Sequence, residues 1–316
     1  MSKATPLVSV SVVTYNHKDY IKQCLEGILM QQTTFPFEII LGEDESSDCT
    51  RDICIEYAEK YPDKIRLFLR SRKDVIYING NPTGRYNFME NLKACQGKYI
   101  AICEGDDYWT DPLKLQKQVD FLETNNYYSI CWTKYKISYK NKEKEPDWIS
   151  DLNNKMPYKI DLNNIFVPYS TYTLTVMFKR DSYNDKLIRS LKYFKDNTLY
   201  AICLNKGKGM ILDFYSAVYR IHDKGVYSGL SKYKQKYTSY LNLKEIVNRI
   251  PNCNTLNIIT LRNHFLVNSI ELYPKFWSLN YFYLVIDSIR FLKLKKNLIL
   301  IKRILIKFYK NECKRS

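Results

Sequence analysis

The sequence predicts an α/β fold built on a mostly parallel sheet, followed by a helical C-terminal extension. Four short runs of β-branched and apolar residues have the character of buried strands, at residues 8–13, 38–41, 65–69 and 98–103. Between them apolar residues recur at helical spacing, over residues 21–29, 53–58 and 88–95. Strands that alternate with helices form a parallel sheet covered on both faces, and such sheets bind ligands beyond the carboxyl ends of their strands.

The second half of the chain has a less regular pattern. We expect a helix that starts at Pro112 with Asp111 as its cap, because proline suits the first turn and aspartate the cap position. Beyond it we expect a strand at 129–138, a long surface loop at 139–168, a strand at 171–178, a helix at 197–206 and a strand at 210–214. From about residue 230 the pattern is helical. The sequence therefore predicts an α/β domain over residues 1–228, in halves of about 1–125 and 126–228, and a helical, basic region over residues 229–316.

Charge and cysteine usage narrow the class of protein. The net charge of +16 is uneven, since residues 1–125 carry −4 and the remainder carries +20. A basic second part predicts an anionic partner such as phospholipid or a phosphate-linked substrate. The nine cysteines are odd in number and form no Cys-x-x-Cys pair, which indicates reduced thiols. Because the chain starts with a short polar segment rather than a secretory leader, we expect a cytoplasmic protein.

Acidic residues follow two of the predicted strands directly. Residues 43–48 read Glu-Asp-Glu-Ser-Ser-Asp after the second strand, and Glu104, Asp106 and Asp107 follow the fourth. Carboxyl ends of parallel strands meet at one sheet edge, so both clusters should face one cleft. Crowded carboxylates repel one another, and a hard divalent cation such as Mg²⁺ or Mn²⁺ relieves this. The alternative is that both clusters are ordinary solvated turns with helix caps.

Several other chemistries lack their sequence signals. The chain contains neither a P-loop motif nor the Gly-x-Gly-x-x-Gly fingerprint of dinucleotide-binding proteins. Its three histidines, at positions 17, 222 and 264, do not have the spacing of a zinc site. It also has no Gly-x-Ser-x-Gly nucleophile elbow. P-loop enzymes, dinucleotide-binding enzymes, histidine-based zinc sites and hydrolases with a nucleophile elbow are therefore not expected.

Four segments resemble one enzyme family. They are residues 10–16 (Val-Ser-Val-Val-Thr-Tyr-Asn), 43–48, 104–109 (Glu-Gly-Asp-Asp-Tyr-Trp) and 219–222 (Tyr-Arg-Ile-His) with Gly225. In this order and spacing, over about residues 6–228, the chain resembles the family 2 glycosyltransferases, which are inverting enzymes of the GT-A fold. The resemblance implies a Rossmann-like catalytic domain whose first half binds a nucleotide-diphospho-sugar and whose second half binds an acceptor.

The resemblance also implies roles for individual residues. Thr14, Tyr15 and Asn16 would lie by the nucleotide, and Asp44 would recognise the base. Glu104 stands where the family often has an aspartate near the ribose, although it is longer by one methylene group. The family's metal-binding aspartate corresponds to Asp106, with Asp107 beside it in the donor site.

Three further residues take roles from the second half of the family pattern. The catalytic base is an acid before a helix, and Asp196 stands at that place. His222 corresponds to a position near the metal and diphosphate in some members. Arg220 is the basic group expected to assist the leaving diphosphate. The alternative for Asp196 is a helix cap, and His222 has the alternative of an ordinary structural histidine.

The end of the chain is strongly basic. Residues 289–316 contain ten Lys or Arg residues against one acid, Glu312, and on a helical projection the basic residues share one sector opposite apolar residues. This pattern is typical of an interfacial helix on an anionic membrane surface. The apolar run at 276–286 is too short to span a bilayer. The alternative is that the apolar stripe packs on the catalytic domain. We expect no nucleic-acid binding, because no recognition motif accompanies the charge.

These observations predict an enzyme that transfers a sugar from a nucleotide-diphospho-sugar, with UDP-sugars favoured, to a hydroxyl of a glycan or lipid-linked glycan. The expected setting is synthesis of a cell-surface glycan such as capsule or O-antigen, at the inner face of the membrane. One alternative is a catalytically inactive nucleotide-sugar-binding or membrane-surface scaffold. Another is a sugar-nucleotide nucleotidyltransferase, which would need a glycine-rich loop after the first strand.

Overall fold

The computed structural model describes residues 5–140, 142–152, 155–166, 170–222, 230–273 and 279–292. The chain divides into two compact units, residues 1–223 and 224–316, which we describe separately.

The first unit contains, within its described residues, twelve strands and seven helices. The strands are β1 (Val8–Thr14), β2 (Phe37–Glu43), β3 (Ile65–Leu69), β4 (Tyr77–Ile78), β5 (Asn81–Pro82), β6 (Tyr99–Glu104), β7 (Tyr108–Trp109), β8 (Tyr128–Tyr139), β9 (Lys142–Lys144), β10 (Tyr158–Ile160), β11 (Met177–Lys179) and β12 (Lys208–Ile221). The helices are α1 (Ile21–Leu29), α2 (Thr50–Lys60), α3 (Arg85–Ala94), α4 (Lys114–Thr124), α5 (Asp147–Leu152), α6 (Asp185–Ser190) and α7 (Asp196–Leu204).

One large sheet carries the fold, in the strand order β10-β12-β8-β11-β6-β1-β2-β3. The half formed by β6, β1, β2 and β3 is parallel, as the alternating pattern predicts. β11 is antiparallel to both β6 and β8, and β12 then runs parallel to β8. The sheet is therefore parallel in the first half of the unit and mixed in the second.

Close packing of α3 on the parallel strands fixes the end of β2. Asn87 donates through Nδ2 to the carbonyl oxygen of Gly42 at 2.8 Å, and Asn91 donates to the carbonyl oxygen of Val12 at 2.8 Å. A Cβ atom at Gly42 would lie 2.0 Å from Oδ1 of Asn87, so only glycine fits. This contact fixes the position along β2 at which the acidic segment leaves the sheet.

Three predicted elements of the first unit are wrong in detail. The expected loop at 139–168 contains β9, α5 and β10, and Trp148 and Ile149 of α5 are buried. The expected strand at 171–178 is mostly a single 3-10 turn, Thr173–Thr175, before the short β11. The helix expected from Pro112 begins at Lys114, because Oδ1 of Asp111 accepts a hydrogen bond from the backbone N–H of Leu113 at 2.9 Å and forms a turn first.

The second unit consists, in its described part, of the helices α8 (Lys232–Arg249), α9 (Leu256–Glu271) and α10 (Leu279–Phe291). Their buried core is formed by Tyr240, Leu266, Ile270, Tyr273, Tyr281, Leu284 and Leu292. The Asp287 carboxylate joins two helices, since it accepts hydrogen bonds from the Tyr240 hydroxyl and the Lys244 ammonium, both at 2.5 Å. None of the helices described here or in the first unit is both long and apolar enough to cross a bilayer.

Candidate active site

Three parallel strands end side by side and bring the two acidic segments together. β1 lies between β2 and β6, with Thr14 opposite Glu43 and Val13 opposite Glu104. The polar residues that follow these strands therefore share one edge of the sheet. The predicted convergence of residues 43–48 with Glu104, Asp106 and Asp107 rests on this register.

The turn after β1 is tied to the segment after β2. Asn16 has a left-handed backbone (φ 54°), which asparagine tolerates better than most residues. Its backbone N–H donates to Ser46 Oγ at 2.9 Å, and its Oδ1 accepts from the backbone N–H of Ser47 at 2.9 Å. Asn16 is thus engaged in holding the two strand-end turns together, while Thr14 is buried and Tyr15 is exposed beside it.

The acids after β2 have separate roles. Glu43 is fully buried and accepts hydrogen bonds from the Arg51 side chain and from the backbone N–H of Ser46, so it is a structural residue. Asp44 is also buried, and its Oδ2 accepts from Nη1 of Arg72 at 2.9 Å. Burial raises the pKa of Asp44, although the Arg72 charge opposes this. Its Oδ1 is buried without a hydrogen-bond partner among the described residues.

Arg72 is a site residue that sequence reasoning missed. Its guanidinium lies 4.1 Å from the ring centroid of Tyr15 and pairs with Asp44. These three side chains form a small platform that consists of an aromatic ring, a guanidinium and the buried carboxylate of Asp44. The only sequence signal for Arg72 is its position three residues after β3, at the same sheet edge.

The acids after β6 form the densest charge cluster in the described part of the first unit. Glu104, Asp106 and Asp107 each offer a carboxylate oxygen within 4.8 Å of the others. Burial, reinforced by the charge of Asp106, raises the pKa of Glu104 to about 8, although the Thr173 hydroxyl donates to it at 2.9 Å. Burial followed by the charges of Asp106 and Glu104 raises the pKa of Asp107 well above its ordinary value.

Two histidines stand against the central carboxylate of this cluster. Nε2 of His222 lies 3.1 Å from Oδ2 of Asp106, and Nε2 of His17 lies 3.8 Å from the same atom. Burial would raise the pKa of Asp106, but the His222 hydrogen bond and the two histidine charges outweigh it, so this pKa is lowered. His17 is the second residue that sequence reasoning missed, and burial lowers its own pKa.

The loop at residues 104–107 lies directly against the end of β1. A Cβ atom at Gly105 would lie 2.6 Å from Oγ1 of Thr14 and 3.0 Å from Nδ1 of His17, so glycine is required there. This close approach is what brings His17 within reach of Asp106. Trp109, which follows the loop, is a core residue, because it is buried and its Nε1 donates to the carbonyl oxygen of Leu174 at 2.7 Å.

Arg220 supports the acidic loop from β12. Its backbone N–H donates to Oδ1 of Asp107 at 2.8 Å, and its Nη1 donates to the carbonyl oxygen of Asp106 at 2.6 Å. The guanidinium also donates to Gln23 and lies 4.3 Å from the ring centroid of Tyr108. These contacts fix the loop that carries both aspartates.

Asp196 comes from the second half of the unit. It is the first residue of α7, and Lys195 rather than Asp196 is the N-cap of this helix, so the capping alternative is not what the structure has. Its charge is the smallest of the contributions that raise the pKa of Glu104. Thr14, Asp44, Glu104 and Asp106 therefore lie at or just after the ends of adjacent parallel strands, whereas Asp196 begins a helix.

The residues of the cluster suit a hard divalent cation. Three carboxylates supply the oxygen donors that Mg²⁺ and Mn²⁺ prefer, and a histidine nitrogen is acceptable to Mn²⁺. Oδ2 of Asp107 is buried without a hydrogen-bond partner among the described residues, as expected of a group that is completed by a ligand. A cation at this position would also offset the repulsion that raises the pKa values of Glu104 and Asp107.

The chain is similar in sequence to known proteins. It is 30% identical to the uncharacterized protein Rv1520 of Mycobacterium tuberculosis over 73% of this chain, and the match spans 63% of the length of that relative. It is 28% identical to WfaP of Escherichia coli, named as a UDP-Glc:alpha-D-GlcNAc-diphosphoundecaprenol beta-1,3-glucosyltransferase, over 76% of this chain and 86% of WfaP.

Solved structures share the fold. Staphylococcus aureus TarS (residues 1–349) in complex with UDP-GlcNAc matches with a TM-score of 0.62 at 18% identity, over 90% of this chain and 81% of TarS. The mannosyltransferase PcManGT of Pyrobaculum calidifontis, in complex with GDP-Man and Mn²⁺, matches with a TM-score of 0.56 at 15% identity, over 98% of this chain and 82% of that chain. These likenesses confirm the predicted GT-A-type fold. Residues 9–187 match the family described as glycosyl transferase family 2, and the chain therefore belongs to that family.

Proposed function

We propose that this protein is a metal-dependent, inverting glycosyltransferase that moves a sugar from a nucleotide-diphospho-sugar to a hydroxyl group of a glycan. The observation that carries the proposal is the convergence of Glu104, Asp106, Asp107 and His222 at the sheet edge where Asp44 also lies. A nucleotide bound by its base near Asp44 would extend its diphosphate toward this cluster. Because the diphosphate and the carboxylates are both negative, a cation would have to lie between them.

The pattern of polar atoms at Asp44 and Arg72 favours uracil as the base. Oδ1 of Asp44 is an unpartnered acceptor, and the adjacent guanidinium is a donor. Uracil presents one N–H donor flanked by carbonyl acceptors, which complements this pair. Guanine presents two neighbouring donors, and these would need both carboxylate oxygens, so one of its donors would compete with Arg72 for Oδ2. The UDP-GlcNAc bound to TarS and the UDP-Glc in the name of WfaP agree with a UDP-sugar donor.

The proposed chemistry is a single displacement at the anomeric carbon. Asp196 accepts the proton of the acceptor hydroxyl as it attacks, since a carboxylate within hydrogen-bond reach strengthens a weak nucleophile. Mg²⁺ or Mn²⁺, held by Asp106 with His222 and its acidic neighbours, would supply positive charge to the leaving diphosphate. Arg220 acts through its contacts with the Asp106–Asp107 loop, and attack from the face opposite the diphosphate inverts the configuration.

The acceptor and setting that we propose are a lipid-linked glycan and cell-surface glycan synthesis at the inner face of the membrane. The name of WfaP, which specifies a diphosphoundecaprenol-linked sugar as acceptor, supports this. So does the basic segment at 289–316, most of which (293–316) lies outside the described residues. In the described part of α10, Ile286 and Ile289 are exposed apolar residues, as an interfacial helix would have.

Donor hydrolysis tests the proposal directly. Purified protein should release UDP from UDP-glucose or UDP-GlcNAc in the presence of Mn²⁺, slowly without acceptor, and EDTA should stop the release. A scaffold that only binds nucleotide-sugar would gain thermal stability on binding UDP, but it would not release UDP from a UDP-sugar. A nucleotidyltransferase would form UDP-sugar from UTP and sugar 1-phosphate. Absence of both UDP binding and UDP release would overturn the proposal.

A further inference from the structure

Two half-buried tyrosines form a wall beside the acidic cluster. The rings of Tyr172 and Tyr219 pack edge to face, with centroids 4.9 Å apart and planes inclined by 66°. Burial raises the pKa of both hydroxyls, and the nearby acids add to this: Asp196 for Tyr172, and Asp107 for both. Tyr172 directly precedes Thr173, whose hydroxyl donates to Glu104 at 2.9 Å. Tyr219 directly precedes Arg220, whose backbone N–H donates to Asp107 at 2.8 Å, so both tyrosines lie beside the acidic cluster.

Tyr172 is held in place from behind by two buried aromatic residues. The ring of Tyr135 lies 4.6 Å from that of Tyr172, and Nε1 of Trp148 donates to the Tyr135 hydroxyl at 3.1 Å. An indole N–H can only donate, so the Tyr135 oxygen accepts, and its own proton goes to the hydroxyl oxygen of Tyr172. This chain of hydrogen bonds fixes the Tyr172 ring before any ligand binds, which reduces the entropy lost on binding.

The position of the wall points to the acceptor rather than the donor base. The platform for the base, Asp44 with Arg72 and Tyr15, follows β2 and β3, whereas Tyr219 is on β12 and Tyr172 precedes β11. In the sheet order, β11 and β12 lie on the other side of β6 from β1 and β2. The wall is therefore on the β11–β12 side of the acidic cluster, and Asp196, the residue that would take the acceptor proton, belongs to the segment that joins these two strands.

The chemistry of the wall selects among acceptor classes. A pyranose ring has an apolar face of C–H bonds, which packs against an aromatic ring, and a rim of hydroxyl groups, which suits polar neighbours. A phosphate-bearing polyol has no rigid apolar face to pack against an aromatic ring. Tyrosine is also a rigid side chain that combines an apolar body with a polar end, so it suits this kind of contact.

We infer that Tyr172 and Tyr219 form the acceptor subsite, and that this subsite binds a neutral pyranose ring whose reacting hydroxyl faces Asp196. The inference rests on the proposed function and specifies its acceptor class. Tyr219 supplies the ring against which the sugar packs, and Tyr172 forms the adjoining wall. Tyr135 and Trp148 are positioning residues that act through Tyr172.

Steady-state kinetics with defined acceptors test the inference. The probes are octyl β-D-glucopyranoside and octyl N-acetyl-β-D-glucosaminide, with glycerol 3-phosphate as the charged polyol, each with UDP-glucose or UDP-GlcNAc and Mn²⁺. Tyr219→Ala and Tyr172→Ala should raise the KM for the glycoside about tenfold, since an aromatic contact is worth about 1 kcal/mol or more. Tyr219→Phe should stay within about threefold, because it keeps the ring.

The controls separate this inference from the proposed function. The matched variant is Tyr127→Ala, an exposed tyrosine just before β8, which should leave the glycoside KM unchanged. The Kd for UDP should be the same in every variant. Unchanged glycoside KM in both alanine variants would overturn the inference, as would better transfer to glycerol 3-phosphate than to either glycoside. If UDP is released from the donor and no glycoside accelerates that release, the inference is also overturned. The proposed function would remain intact in that case.

Discussion

Nε2 of His222 lies 3.1 Å from Oδ2 of Asp106, although 116 positions separate the two residues in the sequence. The contact joins the segment after β12, in the predicted acceptor half, to the loop after β6, in the predicted nucleotide-sugar half. His17 approaches the same carboxylate from the turn after β1. Three separate turns thus meet at one oxygen atom, and this explains why the candidate metal site needs the whole first unit to be folded.

The first prediction concerns this contact. His222→Gln should weaken Mn²⁺ binding in the presence of UDP by roughly 10–100-fold, which is the usual effect of removing one supporting group from a metal site. Asp106→Asn should abolish metal-dependent UDP binding without changing the melting temperature by more than a few degrees. Isothermal titration of Mn²⁺ measures both. The matched control is His264→Gln, an exposed histidine of the second unit. Donor hydrolysis that persists unchanged in EDTA would contradict a metal role for this site.

The second prediction concerns Asp196 as the base. Asp196→Asn keeps the size of the side chain but cannot accept a proton, so turnover should fall by roughly 10²–10⁴-fold while the Kd for UDP stays near the wild-type value. The comparison is Asp185→Asn, because Asp185 is likewise the first residue of a helix, α6, and is half-buried. Single-turnover transfer to an alkyl glycoside is the measurement. Wild-type turnover in Asp196→Asn would assign the base to another acid.

The third prediction concerns recognition of the base. Arg72→Gln removes the charged partner of Asp44 and the group stacked on Tyr15, so UDP affinity should fall by about tenfold or more, given that hydrogen bonds to charged groups contribute about 1.5–3 kcal/mol. The preference for UDP over GDP should shrink at the same time, because Asp44 then has two unoccupied oxygens. Lys73→Gln, which changes the exposed neighbouring residue, is the control. Equal loss of UDP and GDP affinity would argue against a role in base discrimination.

The parallel half of the fold could be predicted from sequence because its signals are local. A buried strand such as β6 has an unbroken apolar run, and the acids that follow it are adjacent in sequence, so the sheet edge and the position of Asp106 follow together. Asn16 and Asp44 could be placed in the same way, from strand ends and family resemblance. The sequence is enough to place these residues at the sheet edge, because each lies within three positions of the end of a strand.

The missed features depend on contacts between distant segments. Arg72 and His17 belong to the site only because β3 and β1 end at the same edge, and neither has a distinctive neighbour in sequence. The helix α5 has six residues, too few for apolar periodicity, and forms because Trp148 and Ile149 become buried in the tertiary structure. The start of α4 was misplaced because a local side-chain hydrogen bond of Asp111 competes with helix formation.

The fourth prediction concerns the basic end of the chain. A truncation that removes residues 293–316 keeps Leu292 and the other described residues of the buried core of the second unit. The truncated protein should lose sedimentation with vesicles that contain anionic lipid, since each Lys or Arg near such a surface contributes about 1 kcal/mol. Binding of the full chain should weaken as salt rises, because ions screen the charges. A truncation that lowers the melting temperature sharply would instead indicate that the segment packs on the protein. Failure of the full chain to bind at low salt would exclude membrane attachment.

The last prediction concerns Lys114, a fully buried lysine of α4. Its Nζ donates to Oε1 of Gln118 at 2.6 Å and lies 4.2 Å from the ring centroid of Trp109. Burial lowers its pKa from the ordinary 10.5 to about 7. Between these values the unfolded chain holds a proton that the folded chain does not, so the free energy of unfolding should rise as pH increases from about 7 to about 10. Lys114→Met removes the group while keeping its length, and it should raise the melting temperature below pH 7 and flatten this rise. Lys117→Met, on the exposed face of the same helix, should keep the wild-type pH dependence. Parallel pH profiles for wild type and Lys114→Met would show that Lys114 stays charged in the folded protein.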